Sequence, residues 1–326
     1  MIRKIEVNNY KSEKGDDWNF ILSYELFGKS VGNAPVVLVN HSLTGNSNLI
    51  GEKGWWKHLV GKKKLIDSEK YTILIFNIPG NGYANELIEN YKDLVLRDIA
   101  KVFLIAIEKM SIKSIFAMIG GSIGGCLIWE MNALNPTICK NLIPIACDWK
   151  SNDWVIANTM VQNSILQNSK NPTYDARIHA MISYRTQKSF KIKFNRSKNL
   201  ESKLSEVESW LDHHGKKLNK RFSVQSYKFM NHLLSSVDIT DGAEKKFKSL
   251  ISKVTGNIYI ISIKSDLLFT HSENEDTYNR ILKFKNNVYL RTIDSDHGHD
   301  SFLIEFDQMT HMLSDIFNYG FNNKKI

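Results

Sequence analysis

A serine flanked by glycines is the part of this chain that most clearly indicates chemistry. Residues 120–124 read Gly-Gly-Ser-Ile-Gly; they follow the apolar run 114–119 and precede apolar residues at helical spacing from Ile123 to Met131. A strand, a sharp turn at the serine and a helix would hold the Ser122 hydroxyl at the end of a sheet. The flanking glycines make room there, because a side chain would press on neighbouring backbone. The pattern predicts acyl transfer through a covalent intermediate on Ser122.

A serine hydroxyl needs a base, and the base needs a carboxylate that orients it. Asp266 directly follows the predicted strand 258–263, and His299 follows the predicted strand near 288–293. Both residues therefore lie on loops at the carboxyl ends of strands, and the chain order serine, aspartate, histidine fits this kind of site. His297 is only two residues away, and local chemistry leaves either histidine as the base.

Two backbone N–H groups are expected to stabilise the oxyanion that forms during acyl transfer. One belongs to the residue after the nucleophile, Ile123. The other is expected from the loop after an early strand, and residues 41–45 follow the apolar run 36–39. Leu43 is the predicted second donor.

Strand-like and helix-like segments alternate through most of the chain, which indicates an α/β fold with a mostly parallel sheet flanked by helices. The predicted strands are residues 20–27, 36–39, 71–76, 114–119, 141–146, 258–263 and 288–290, and the predicted helices include 94–107 and 302–317. Residues 151–235 contain no convincing strand. We therefore expect a catalytic core of residues 1–150 and 236–326, with 151–235 inserted as a helical lid over the carboxyl ends of the strands, where open α/β sheets bind ligands.

Composition limits the class of protein. The chain has 326 residues, 42% of them hydrophobic, a net charge of +9 and three cysteines. So few cysteines give no disulfide framework and fit a reducing cytoplasm. We expect no signal peptide and no membrane span, because the chain has neither a charged leader with an apolar stretch nor a run of about 18 apolar residues. No nucleic-acid-binding motif accompanies the positive charge, which is expected to favour an anionic cosubstrate such as a CoA ester.

Histidine spacing raises the question of a metal. His297 and His299 have the spacing of a metal-binding pair, but no cluster of further ligands accompanies them. We therefore expect no metal site. The adjacent His213 and His214 are expected on a solvated helix face.

Several segments together resemble the homoserine O-acyltransferase family, the acyl-CoA-dependent branch of the α/β-hydrolase fold. The matching segments occur in order from about residue 20 to residue 305. They are His41-Ser42-Leu43-Thr44-Gly45, Gly54-Trp55-Trp56, residues 120–125, Ala176-Arg177, Ser183-Tyr184-Arg185, residues 206–211, Gly215, Arg221-Phe222 and residues 298–303. The chain departs from the family pattern after residues 77–80, where the family's Gly-Ser-Thr-Gly-Pro stretch is missing.

The resemblance implies an activity and assigns residues to it. It makes His299, rather than His297, the base, and it implies that Arg177, Tyr184 and Asp300 hold an amino-acid substrate. It implies ping-pong transfer of an acetyl group from acetyl-CoA to L-homoserine in methionine biosynthesis, with no bound cofactor, by a homodimer formed through the lid helices. The alternatives are succinyl-CoA as donor, L-serine as acceptor, an esterase of the same fold, or a non-catalytic binding protein, which the complete triad disfavours.

Overall fold

The computed structural model of the chain describes residues 1–84, 86–198 and 205–319. Within these ranges the strands are β1 (Arg3–Lys11), β2 (Asp17–Gly28), β3 (Val36–Asn40), β4 (Val60–Gly61), β5 (Ile66–Asp67), β6 (Thr72–Phe76), β7 (Ile115–Gly121), β8 (Cys139–Ile145), β9 (Asn257–Ile263) and β10 (Val288–Ile293). Eight strands form one sheet in the order β1-β2-β6-β3-β7-β8-β9-β10, and β4 pairs with β5 separately. The six strands from β6 to β10 in that order are parallel, whereas β1 and β2 are antiparallel. The predicted α/β class with a mostly parallel sheet is confirmed.

Helices cover both faces of this sheet. In the described residues they are α1 (Leu96–Lys109), α2 (Ile123–Leu134), α3 (Asp153–Asn168), α4 (Pro172–Ser183), α5 (Gln187–Phe194), α6 (Glu206–Asn219), α7 (Val224–Ser235), α8 (Phe247–Ser252), α9 (His271–Leu282) and α10 (Phe306–Tyr319). None of them is long and apolar enough to cross a membrane.

The apolar core has two layers because successive strand residues point to opposite faces. In β3, Leu38 joins the cluster that contains Phe103 of α1 and Trp129 of α2. Its neighbour Val39 joins the cluster that contains Leu313 of α10. All five residues of β3 are buried, which explains why its sequence is a continuous apolar run rather than an alternating one.

Five helices, α3 to α7, follow one another in the chain after β8. The short helix α8 and the residues that lead to it come between α7 and β9. Four of them begin at a polar side chain that accepts a backbone N–H of the first turn, as helix N-caps do. These side chains are Asn152, Thr186, Ser205 and Ser223. We call residues 153–235 the helical segment.

The helical segment contacts the loop that follows β10, at the carboxyl edge of the parallel strands. The backbone N–H of Asp300 donates to the carbonyl oxygen of Tyr184 at 3.3 Å. Gly298, at a φ of +68°, lies against the same carbonyl, where an added Cβ would come within 2.8 Å of the oxygen. The segment that follows α4 is therefore packed directly on the loop that carries both candidate histidines.

The last helix differs from the sequence prediction of residues 302–317. Residues 298–303 form a short 3-10 helix, and α10 begins only at Phe306. Ser301 accepts hydrogen bonds from the N–H groups of Ile304 and Glu305, which closes a turn between the two helices. The apolar residues from Phe302 to Phe317 thus belong to two elements with a break between them.

Candidate active site

Ser122 occupies a sharp turn between β7 and α2. Its backbone has φ of 59° and ψ of −131°, a conformation that costs a non-glycine residue free energy and is found where the surrounding structure imposes it. Here the Ser122 N–H donates to Ile145 of β8 at 2.9 Å, and its carbonyl accepts from Gly125 at 2.8 Å and Cys126 at 3.0 Å. These hydrogen bonds to β8 and to the first turn of α2 hold the turn in place, and they thereby fix the position of the Ser122 side chain.

Close packing explains two of the glycines around the serine. A Cβ on Gly124 would lie 2.5 Å from the carbonyl oxygen of Asn40, at the end of β3. A Cβ on Gly121 would collide with the ring of Phe302. That ring lies edge-on to the imidazole of His299, with 5.8 Å between the ring centres. The glycines therefore let the loop after β3 and the loop that carries His299 approach the serine.

Asp266 and His299 form a buried pair. Oδ2 of Asp266 lies 2.7 Å from Nδ1 of His299, and Oδ1 accepts the backbone N–H groups of Leu268 at 2.8 Å and Phe269 at 3.2 Å. Because the ionised carboxylate only accepts hydrogen bonds, it selects the tautomer of His299 with the proton on Nδ1. Nε2 is then unprotonated and able to take a proton.

The charges around His299 set its affinity for that proton. Burial lowers the pKa of His299, but the charge and hydrogen bond of Asp266, together with the charge of Asp300, raise it. The net pKa lies above the ordinary value for histidine. Carboxylates beside a buried imidazole favour its charged form. They would therefore stabilise the imidazolium that forms when a general base accepts a proton.

His297 has different surroundings. Its Nδ1 lies 2.9 Å from the Ser189 hydroxyl of α5, and it is only half-buried. It forms no hydrogen bond or ion pair with a carboxylate among the described residues. Of the two histidines that local chemistry left open, His299 is the one that the structure pairs with Asp266.

No hydrogen bond joins Ser122 to His299. Within the described part of the chain, the Ser122 hydroxyl makes no hydrogen bond, although the residue is largely buried. Catalytic hydrogen bonds are often long before substrate binds and tighten in the complex. The structure joins Asp266 to His299 directly, and the packing of Phe302 on Gly121 holds His299 beside the elbow.

The loop that carries Leu43 is fixed by a buried histidine. His41 Nε2 accepts the N–H of Ile78 at 3.0 Å, and its Nδ1 donates to the Ser42 carbonyl at 2.8 Å. Burial lowers the pKa of His41 to about 4, so the ring is neutral near pH 7 and can both accept and donate. Leu43 N–H makes no hydrogen bond to any described residue, and Ile123 N–H is among the helix donors that lack an intrahelical acceptor.

Arg177 and Tyr184 lie in a row with His299. The guanidinium carbon of Arg177 is 5.9 Å from the centre of the Tyr184 ring, and that ring is 5.7 Å from the imidazole of His299. Asp300 has a partner that sequence reasoning missed: its Oδ2 pairs with Nε of Arg185 at 3.1 Å. The only signal for that pair was the position of Arg185 directly after Tyr184.

No group of three or more His, Cys, Asp or Glu side chains in the described ranges could hold a metal ion. A serine near a buried Asp–His pair is an arrangement that can perform acyl transfer.

Known proteins share this architecture. A family model described as alpha/beta hydrolase fold matches residues 35–306. The homoserine O-acetyltransferase of Sulfurimonas autotrophica is 27% identical over 91% of this chain and 92% of that protein. The crystal structure of homoserine O-acetyltransferase from Bacillus anthracis has a TM-score of 0.86 at 17% identity, covering 98% of this chain and 97% of that one. Esterase E22 has a TM-score of 0.84 at 15% identity, covering 97% and 99%.

At these identities the two solved structures show the fold alone. The family model covers most of the chain, from β3 through the elbow to the 3-10 helix that carries His299. In three dimensions, the order of the strands in the sheet and the strand–turn–helix at Ser122 agree with this fold. The protein therefore belongs to the α/β-hydrolase fold family, as the sequence predicts.

Proposed function

We propose that this protein is an acyl-CoA-dependent O-acyltransferase that moves an acetyl group from acetyl-CoA to L-homoserine. The observation that carries the proposal is the buried Asp266–His299 pair beside a glycine-flanked serine on a strand–helix turn. Such a set of groups performs acyl-enzyme reactions. The relative from S. autotrophica, which is named for this activity, aligns over nearly the whole chain and supports the choice of substrates.

In the first half-reaction, Ser122 takes the acetyl group. His299 Nε2 accepts the proton of the Ser122 hydroxyl while its oxygen attacks the thioester carbonyl. The N–H groups of Leu43 and Ile123 stabilise the resulting oxyanion. The intermediate collapses, the carbon–sulfur bond breaks, and CoA leaves as a thiol with the proton that His299 returns.

In the second half-reaction, homoserine receives the acetyl group. His299 takes the proton of the homoserine hydroxyl, whose oxygen attacks the acetyl ester on Ser122. The same N–H groups stabilise the second oxyanion. Collapse releases O-acetylhomoserine, and Ser122 regains its proton from His299.

The amino acid is held by groups of opposite charge. A guanidinium suits its carboxylate, and Arg177 provides one beside Tyr184. Asp300 suits its ammonium: Arg185 occupies Oδ2, and Oδ1 accepts no hydrogen bond from the described residues. Arg185 thereby fixes the direction of the carboxylate without using both of its oxygens.

The helical insertion acts as a lid on the site. In this proposal residues 151–235 cover a core formed by residues 1–150 and 236–326. The ring of Tyr184 from this insertion lies 5.7 Å from the imidazole of His299, so the insertion reaches the reacting groups. Exclusion of water would limit hydrolysis of the acyl-enzyme before homoserine arrives.

The test is release of CoA from purified protein. Acetyl-CoA and succinyl-CoA are each offered with L-homoserine, L-serine or no acceptor, and free thiol is measured. The proposal predicts release that depends on acetyl-CoA and homoserine together and is lost in Ser122→Ala. Equal release without acceptor would identify a hydrolase, as the shared fold with esterase E22 allows. No release with any pair would contradict an acyltransferase.

A homodimer formed through the helical insertion is part of the same proposal. On α3, Ile156 is 43% exposed and Met160, one turn later on the same face, is 75% exposed, and large apolar side chains that lie together on a surface are typical of protein contacts. Light scattering should give a dimer for the native protein and a monomer for Met160→Lys. Leu282→Lys, which alters an exposed leucine at the end of α9, should remain dimeric. A native monomer would contradict this contact.

A further inference from the structure

A cleft of about 840 Å³ opens beside Arg177. One wall is the stretch from Ser42 to Lys57, and the other is formed by α4, α6 and the turn after α6. Such a volume is that of a small-molecule site. The cleft is larger than acetate or homoserine needs.

Cations dominate the lining of this cleft. They are Lys53, Lys57, Arg177, Lys217 and Arg221, and the one acid among the described lining residues is Glu52. None of the five cations forms an ion pair with a carboxylate in the described ranges. Here unpaired positive charge converges on a concave site, where its field is focused.

The electrostatics of the neighbours agree with this excess charge. Burial lowers the pKa of His214 to about 4, and the charges of Arg177 and Lys217 add to the effect. Burial also lowers the pKa of Arg221, with a contribution from Arg177. These groups repel one another, and an anion between them would relieve that repulsion.

The cleft borders the loop that carries Leu43, the predicted oxyanion donor. Ser42 and Thr44, on either side of Leu43, line the cleft. Arg221 Nη1 donates to the Thr44 carbonyl at 2.9 Å, which ties the cationic wall to the loop that carries Leu43. A ligand with a polyanionic end in the cleft can therefore extend an arm toward Ser122.

We infer that this cleft binds the phosphate groups of the acyl-CoA donor, with Lys53, Lys57, Lys217 and Arg221 as their cationic partners. The inference rests on the proposed function and assigns the donor end of the same site. Lysine and arginine both bind phosphate through charge-assisted hydrogen bonds. Arg177, beside Tyr184, remains for the carboxylate of the acceptor.

The test compares two double variants that remove the same amount of charge. One alters the cleft, near the carboxyl ends of the parallel strands, and the other alters the opposite end of the sheet. Lys53→Gln/Lys217→Gln alters two exposed side chains of the cleft. Lys29→Gln/Lys140→Gln alters two exposed lysines beside the end of β2 and the start of β8. The end of β2 pairs with the start of β6, so both control positions lie at the edge opposite the serine.

Binding is measured by titration calorimetry with CoA and with pantetheine, which lacks the phosphates. Native protein should bind CoA more tightly than pantetheine, and the cleft variant should bind CoA roughly tenfold more weakly, because two ion pairs are lost. The control variant should bind CoA as the native protein does. The difference between CoA and pantetheine should also shrink at high salt, which screens exposed charges.

Turnover gives a second readout that separates this inference from the proposed function. The kcat/KM for acetyl-CoA, relative to that for S-acetyl-N-acetylcysteamine, should fall roughly tenfold in the cleft variant. If native protein acetylates homoserine and the two double variants are equal in both assays, the cleft assignment is wrong and the proposed function stands. If CoA binds through the cleft but nothing is transferred, the assigned reaction is wrong and the cleft assignment stands. A native protein that binds no CoA overturns the inference.

Discussion

The two oxygens of the Asp266 carboxylate contact different groups: one accepts hydrogen bonds from the loop of Asp266 itself, and the other faces the imidazole of His299. Oδ1 accepts two backbone N–H groups of residues 268 and 269, and Oδ2 lies 2.7 Å from Nδ1 of His299. The backbone contacts leave the carboxylate one direction in which to point. The tautomer of His299, and hence its ability to act as a base at Nε2, depends on that direction.

Asp266→Asn should separate the structural role of this side chain from its catalytic one. The amide oxygen can still accept both backbone N–H groups, so the fold should persist. The amide N–H₂ would then face Nδ1 of His299 and favour the tautomer that cannot take the serine proton, with an expected loss of roughly 10³–10⁴-fold in kcat. Kcat is measured by CoA release and folding by thermal denaturation. Asp294→Asn, at an exposed aspartate paired with Lys264, is the control, and a loss of less than tenfold at Asp266 would contradict the assignment.

The two histidines of the loop after β10 should respond differently to removal. His299→Ala removes the imidazole that Asp266 orients, and CoA release should fall roughly 10²–10⁴-fold. His297→Ala removes a ring that contacts Ser189 of α5, and most of the activity should remain. Steady-state kinetics of both variants decide between them. Equal losses would show that the base has been assigned to the wrong residue or that both are required.

The acidic limb of the pH profile should report His299. Activity requires its unprotonated form, so kcat/KM should rise with pH through a midpoint above the ordinary histidine value of 6.5. Asp300 raises the pKa of His299, so Asp300→Asn should move the midpoint to lower pH. Asp296→Asn, at a residue of the same loop that pairs with Lys188, should leave it in place. A midpoint that stays put or rises in Asp300→Asn would exclude this electrostatic coupling.

Two buried tyrosines should differ in what their hydroxyls contribute to stability. Tyr10 donates to Oδ1 of Asp98 at 2.6 Å, and Tyr10→Phe should lower the free energy of unfolding by about 1–3 kcal/mol. The hydroxyl of Tyr227 is buried without a partner in the described ranges, so Tyr227→Phe should leave stability equal or slightly higher. Urea denaturation of both variants measures the difference. A loss above about 1 kcal/mol in Tyr227→Phe would reveal a partner for that hydroxyl.

Sequence reasoning located the elbow and the residues after β9 and β10 because each is marked locally. Glycines surround Ser122, and Asp266 and His299 follow apolar strands. It did not find the Arg185–Asp300 pair, whose members are 115 residues apart. That contact exists only once the helical segment has packed on the loop after β10.

Local sequence patterns also mislead where the structure interrupts the regular spacing of buried residues or gives adjacent residues different surroundings. Strand β1 was not predicted, since its pairing with β2 shifts register between Val7 and Tyr10, which places two buried residues three apart instead of two. His214 was expected on a solvated face, and that prediction was wrong: it is half-buried, with its ring 4.5 Å from that of Trp210. Neighbouring His213 is exposed, so an adjacent pair on one helix has two environments that the sequence does not distinguish.

The central claim is that Ser122 carries the acetyl group between donor and acceptor. Intact-protein mass spectrometry after brief mixing with acetyl-CoA alone tests it most directly, followed by peptide mapping and a second sample quenched after addition of L-homoserine. The account predicts a mass increase of one acetyl group on Ser122, its disappearance with homoserine, and no increase in Ser122→Ala. Acceptor-dependent CoA release without any acetylated Ser122, or with equal activity in Ser122→Ala, would contradict it.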